Sequence, residues 1–137
     1  MEFLKYKDTL EELYKEIPEF REWLKNDGGF DEEITYPAFF GFSYYIGYLV
    51  NKKDEEVLKR VLDFLERMAQ SDDMEVIYLF NDFIDSLDNY NQDVLNYLRN
   101  NLKKKARYLI ELLDTLPTIT VHGEYENKLR NVPGKYQ

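Results

Sequence analysis

The side chains that most often perform catalysis are scarce in this sequence. His122 is the only histidine, and it lies near the C-terminus in a segment whose pattern indicates no regular element and no catalytic partner. The three serines, Ser43, Ser71 and Ser86, do not lie in a nucleophile-elbow pattern, and there is no cysteine. A catalytic site needs matched acid, base or nucleophilic groups in one pocket. We therefore predict that the protein is not an enzyme.

Motifs that hold cofactors or metal ions are also missing. Neither a GxxxxGKS/T nor a GxGxxG stretch occurs, and Gly28-Gly29 is better explained as the end of a helix. The acid-rich segments 26–33 and 85–93 lack the alternating ligands and central glycine of a calcium loop. A single histidine cannot supply the two Glu-x-x-His motifs of a two-metal helical bundle. The sequence predicts no cofactor and no metal site.

One acidic helix carries the most unusual charge pattern. The chain has a net charge of −9, and residues 71–93 contain seven acids and no base. Helical spacing places Glu75, Tyr78, Asp82, Asp85 and Asn89 on one face. One interpretation is a solvated face, offset by a basic run at 103–107 that packs nearby. The other is a docking surface for a basic partner, with Tyr78 as an aromatic anchor.

The most apolar stretch of the chain is Tyr36 to Val50, YPAFFGFSYYIGYLV, which contains no charge. Its 15 residues are fewer than the roughly 20 that a membrane-spanning helix needs. It therefore predicts a buried central helix at about residues 37–51, with amphipathic helices around it. Gly41 and Gly47 inside that helix indicate close approach of neighbouring elements, since glycine costs about 1 kcal/mol relative to alanine there.

The remaining pattern predicts an all-α fold. Apolar residues recur every three or four positions, Asp54 and Ser71 are suitable N-caps, and one long helix is expected to close the domain. We predict a compact bundle of five to six helices in a single domain, residues 1–116. Residues 117–137 are expected to form an irregular or loosely docked tail, in which 118–121 could be a short strand. The expected helices cover residues 2–17, 18–26, 37–51, 55–70, 72–87 and 92–115.

Residues 36–116 also resemble a group of small, acidic, all-helical bacterial proteins. The resemblance is carried by the central apolar stretch, then EEVLKRVLDFLERM, then DDMEVIYLFNDFIDSL and the long last helix. Some members of this group are immunity proteins encoded beside toxins. The resemblance implies a protein that neutralises a toxin by occlusion, often by presenting acidic side chains to the basic cleft of a nuclease. The expected partner is a basic protein, such as a toxin domain.

The sequence also predicts a location for the protein and leaves two alternative functions open. The N-terminus has no apolar signal core and no segment is long enough to span a membrane, so we expect a cytoplasmic protein. The acidic charge argues against direct nucleic-acid binding. One alternative is a small-ligand or regulatory domain whose pocket is lined by Gly41, Tyr44, Gly47 and Tyr48. Another is an acidic DNA mimic, although the charge-balanced segment 34–70 counts against it.

Overall fold

Eight α-helices make up most of what the computed structural model describes, which is residues 3–115 and 122–137. The all-α prediction is confirmed, but five to six helices was too few, because the long last helix is divided and the C-terminal tail holds another helix. No helix among the described residues has both the length and the apolar character to span a membrane. The α-helices are α1 (Tyr6–Glu16), α2 (Pro18–Trp23), α3 (Thr35–Lys52), α4 (Glu55–Ala69), α5 (Met74–Tyr90), α6 (Gln92–Asn101), α7 (Lys104–Thr115) and α8 (His122–Arg130).

Helix α3 lies in the middle of the bundle, as its apolar sequence predicts. It contacts α1, α2, α4, α5 and α6. The helix ends where Lys53 adopts a left-handed conformation, with φ of 59°. The next residue, Asp54, caps α4 as predicted, because its carboxylate accepts a hydrogen bond from the backbone N–H of Val57 at 3.3 Å.

Only one side of α3 is buried, which differs from the prediction of a wholly buried helix. Phe42 on the inner side is fully buried, with ring centroids 5.0 Å from Phe20 and 5.7 Å from Phe83. Tyr44 and Tyr48 on the outer side are each 45% exposed. The helix therefore joins the core to the surface.

The two glycines of α3 do permit close packing, as predicted. A methyl group at Gly41 would lie 2.8 Å from a side-chain carbon of Leu24 and 3.0 Å from Phe30. A methyl group at Gly47 would lie 3.1 Å from the side chain of Asn91. Neighbouring side chains thus take up the space that each glycine leaves.

The predicted helix over 92–115 is interrupted at Leu102. Leu102 is fully buried with an extended backbone, and Lys104 has a left-handed φ of 50°. The intervening backbone N–H, that of Lys103, donates to the Glu66 carboxylate of α4 at 2.5 Å. The carboxylate that stabilises the break is therefore 37 residues away in sequence. The helical periodicity continues on both sides of the break, so the sequence pattern does not indicate it.

The start of α5 also differs from the prediction. Asp73, rather than Ser71, is the N-cap, because its carboxylate accepts the backbone N–H of Glu75 at 3.0 Å. The Ser71 hydroxyl instead donates to the carbonyl of Leu4 and accepts the N–H of Asp73. These two hydrogen bonds of Ser71 therefore connect the N-terminal segment to the start of α5.

The C-terminal segment, predicted to be irregular or loosely docked, contains regular helical structure. Residues 122–130 form α8, and a 3-10 turn follows at Gly134–Tyr136. Leu129 of α8 is buried, and the hydroxyl of Tyr108 in α7 donates to the carbonyl of Lys128 at 2.8 Å. These contacts dock α8 on the bundle. The possible strand at 118–121 lies outside the described residues.

Candidate functional site

The five candidate residues of α5 lie along one face of the helix, as their spacing predicts. Glu75, Asp82, Asp85 and Asn89 are exposed and Tyr78 is half-buried. With a rise of 1.5 Å per residue, the stripe from Glu75 to Asn89 is about 21 Å long. Its two ends have different surroundings.

At the N-terminal end of the stripe, Tyr78 is engaged within the chain. Its hydroxyl donates to a carboxylate oxygen of Glu126 in α8 at 2.9 Å. Burial raises the pKa of Tyr78, and the bond to Glu126 adds to the effect. Tyr78 therefore holds α8 against α5 rather than standing free as an aromatic anchor.

At the C-terminal end, the acids remain open to solvent. Asp82 accepts a hydrogen bond from the hydroxyl of Tyr36 at 3.1 Å, and the Asn89 amide donates to the backbone carbonyl of Asp85 at 3.2 Å. Burial, with a further contribution from Asp82, raises the pKa of Tyr36 to about 12. Among the described residues, no lysine or arginine forms an ion pair with Glu75, Asp82 or Asp85.

The basic run at 103–107 forms no ion pair with these acids among the described residues. The backbone of Lys103 bonds to Glu66 of α4, and the Arg107 side chain pairs with Glu111 of its own helix at 3.5 Å. Helices α5 and α7 are in contact, yet no side-chain ion pair joins their described residues.

A partly exposed aromatic cluster lies next to the open acids and was not predicted. It consists of Phe30, Phe40, Tyr44 and Tyr90. The Phe40 ring is 5.7 Å from that of Tyr44 and 5.8 Å from that of Tyr90, and Phe30 stacks on Tyr44 at 5.8 Å. Tyr90 is 70% exposed. We call this cluster, together with Tyr36, Asp82, Asp85 and Asn89, the α3–α5 surface.

A signal for this cluster was present in the sequence. Aromatic residues recur every four positions at Tyr36, Phe40, Tyr44 and Tyr48, which places them along one side of α3. Three of the four are tyrosines, whose hydroxyl favours a partly wet position. Because the whole stretch is apolar, the sequence did not show that this side of the helix would be exposed. Phe30 and Tyr90 lie outside the stretch and could not be assigned to it from spacing.

At the two glycines of α3, where a ligand pocket was suggested, the structure has packed side chains. The spaces beside Gly41 and Gly47 are filled by Leu24, Phe30 and Asn91. Two surface grooves are present elsewhere, and neither is lined by Gly41, Tyr44, Gly47 or Tyr48. Among the side chains that the structure describes, no three histidine or acidic groups gather as metal ligands would. The side chain of His122 is not among those described.

The fold and this surface define the class as an acidic, all-helical domain with a mixed aromatic and acidic face. The chain belongs to a family described as a domain of unknown function, DUF7674, whose model matches residues 10–113. The match contains the whole α3–α5 surface and ends before α8. No curated protein and no solved structure matches the chain.

Proposed function

We propose that this protein is a non-catalytic binding protein that neutralises a basic protein partner, in the manner of an immunity protein or antitoxin. The observation that carries the proposal is the α3–α5 surface, where carboxylates that form no ion pair with any described residue adjoin exposed aromatic rings. The expected setting is the bacterial cytoplasm, and the expected partner is a toxin domain such as a nuclease.

The aromatic part of the surface suits the centre of an interface. Tyrosine is enriched at protein interfaces and at the few positions that carry most of the binding energy. Tyr44 is 45% exposed and Tyr90 is 70% exposed, so both rings have apolar area left to bury. Their contacts with Phe40 already hold them in place. Binding would therefore cost less side-chain entropy than it would for free side chains.

The acidic part of the surface supplies selectivity for positive charge. Complementary charge at the rim of an interface accelerates association and makes it sensitive to salt. Asp85 is exposed, and Asp82 keeps one carboxylate oxygen beyond its bond to Tyr36. The proposed contact with the partner therefore differs from the one expected from sequence. Tyr78 is occupied in holding α8, and the partner would instead contact Asp82, Asp85, Asn89 and the neighbouring aromatic rings.

A comparative capture experiment tests this proposal. Tagged wild-type protein is incubated at low salt with lysate of its own host, beside an Asp82→Asn/Asp85→Asn variant. The amide oxygen that the first substitution introduces can still accept the Tyr36 hydrogen bond, so the change is mainly one of charge. The matched control is Glu11→Gln/Asp63→Asn, which removes the same charge from exposed positions on α1 and α4.

The expected result is a basic protein that the wild type and the control capture, that salt releases, and that the α5 variant does not retain. Mixing the wild type with that purified protein should then inhibit it. Equal capture by all three forms would contradict the assignment of the surface. A capture containing no basic protein would contradict the proposed function.

A further inference from the structure

A second surface feature is a groove between the N-terminal segment, α4, the α6–α7 break and the C-terminal residues. Its volume is about 1080 Å³, which is enough for a small organic ligand. It shares no residue with the α3–α5 surface. What it binds is therefore a separate question from the proposed function.

The groove is positively charged in a protein that is otherwise acidic. Its lining contains six lysines and arginines and two acids, a net side-chain charge of +4, whereas the whole chain carries −9. A concave site lined by one sign of charge concentrates ions of the opposite sign. The cations are Lys59, Arg67, Lys103, Lys104, Lys105 and Arg130.

Only one of these six cations forms an ion pair with a described residue. Arg67 pairs with Glu12 at 3.1 Å and with Glu16 at 3.6 Å. The other five form no ion pair with any described residue. Burial lowers the pKa of Lys105, and no described acid opposes that shift. An anion in the groove would relieve this unfavourable placement of positive charge.

The backbone of the α6–α7 break brings three of the lysines to the groove. Lys104 has φ of 50°, a conformation that a residue with a side chain adopts only at some cost. Buried Leu102 and the bond from Lys103 to Glu66 hold the break in place. A continuous helix would have spread these consecutive residues around its circumference.

The same groove also exposes apolar groups. Phe3 is 50% exposed, and Leu62, Val132 and Tyr136 are half-buried at its wall. Such a lining does not suit a free inorganic ion, which offers nothing for the apolar wall to contact. It suits a molecule with an apolar body and a charged head.

From the volume, charge and lining of this groove, we propose that it binds a single-chain amphipathic anion. The apolar chain lies against Phe3, Leu62 and Val132. The head group, a carboxylate or a phosphate, is held by Lys103 and Lys105 at the α6–α7 break.

Calorimetric titration of the full-length protein with matched probes tests the proposal. Laurate and dodecyl phosphate carry the tail and the two candidate head groups, and all probes are kept at monomeric concentrations. Dodecyl maltoside supplies the tail without charge, and acetate and inorganic phosphate supply the charge without a tail. We expect one-to-one binding of laurate, dodecyl phosphate or both, and at least tenfold weaker binding of the remaining probes. The backbone amide resonance of Lys103 should shift on binding.

Two variants with the same change of charge locate the site. Lys103→Gln/Lys105→Gln should weaken binding by about tenfold or more. Lys7→Gln/Lys25→Gln alters two exposed lysines of the other groove and should leave binding unchanged. Thermal unfolding of both variants checks that they are folded. The proposal is overturned if neither anionic amphiphile binds, if the maltoside binds equally well, or if the two variants behave alike.

Discussion

Replacing Phe42 and Tyr44 separately by alanine tests which side of α3 faces the core. Phe42 is fully buried and contacts the rings of Phe20, Phe39 and Phe83 at 5.0–5.9 Å. Deleting a buried phenylalanine ring costs about 3–5 kcal/mol, of which the better helix propensity of alanine returns about 0.5 kcal/mol. We therefore expect Phe42→Ala to lower the free energy of unfolding by about 2.5–4.5 kcal/mol.

Tyr44→Ala is the matched change two residues further along the same helix. Its ring is 45% exposed and contacts only Phe30 and Phe40 among the aromatic rings of the described residues. Aromatic pairs contribute about 0.5–1.5 kcal/mol each, and the gain in helix propensity offsets part of that. The expected loss is about 1 kcal/mol.

Urea unfolding at 25 °C measures both losses. With a slope of about 2 kcal/mol per M, the midpoint should fall by about 1.3–2.3 M for Phe42→Ala and by about 0.5 M for Tyr44→Ala. Unchanged slopes would show that the same amount of surface is exposed on unfolding. Equal shifts of the midpoint, or a larger one for Tyr44→Ala, would refute the assigned orientation of α3 and with it the α3–α5 surface.

Three further substitutions probe local features. Burial raises the pKa of Glu66 in the folded state, so this group stabilises the fold at low pH and that contribution is lost as pH rises through the raised pKa. Glu66→Gln, whose amide oxygen can still accept the Lys103 N–H, should therefore raise the urea midpoint at pH 7 and flatten its dependence on pH, whereas an unchanged dependence would contradict this. Asp54→Ala should cost about 1 kcal/mol through loss of the α4 cap, and Asp54→Asn should cost much less. Gly41→Ala should be destabilising in the same assay, because crowding of Leu24 at 2.8 Å costs about 1–3 kcal/mol against a propensity gain of about 1 kcal/mol.

The fold class and the helix limits that depend on local chemistry were predictable. The cap at Asp54 and the helix stop near Gly28-Gly29 follow from the residue types. A π-helical turn, Leu24–Gly28, follows α2 in the structure, and Gly29 ends it with a left-handed φ of 70°. The break at Leu102 was not predictable, because its partner is Glu66 on another helix and lysine does not favour the backbone of Lys104. A local pattern cannot report a conformation that a distant carboxylate stabilises.

The candidate site was predictable only in part, for a related reason. Periodicity placed Asp82 and Asp85 on one face of α5 but could not show what lies beside them. Tyr78 is hydrogen-bonded to Glu126 of α8. The polar C-terminal sequence did not indicate that this helix exists. The exposure of Tyr44 was not predictable because α3 is apolar on every side, and only the position of the neighbouring helices determines which side is left exposed.

The separation of charge on the molecule supports two distinct binding surfaces. Lysines of the α6–α7 break could have stabilised the fold by pairing with acids of α5, which α7 contacts. Instead, Asp82 and Asp85 lie on the α3–α5 surface and Lys103 and Lys105 line the groove, and none of these four side chains forms an ion pair with a described residue. These acids and lysines can therefore pair with charges on a bound partner or ligand. Raising the salt concentration should therefore weaken capture of the basic partner and binding of the anionic amphiphile independently, and the Asp82→Asn/Asp85→Asn variant should lose the first while retaining the second.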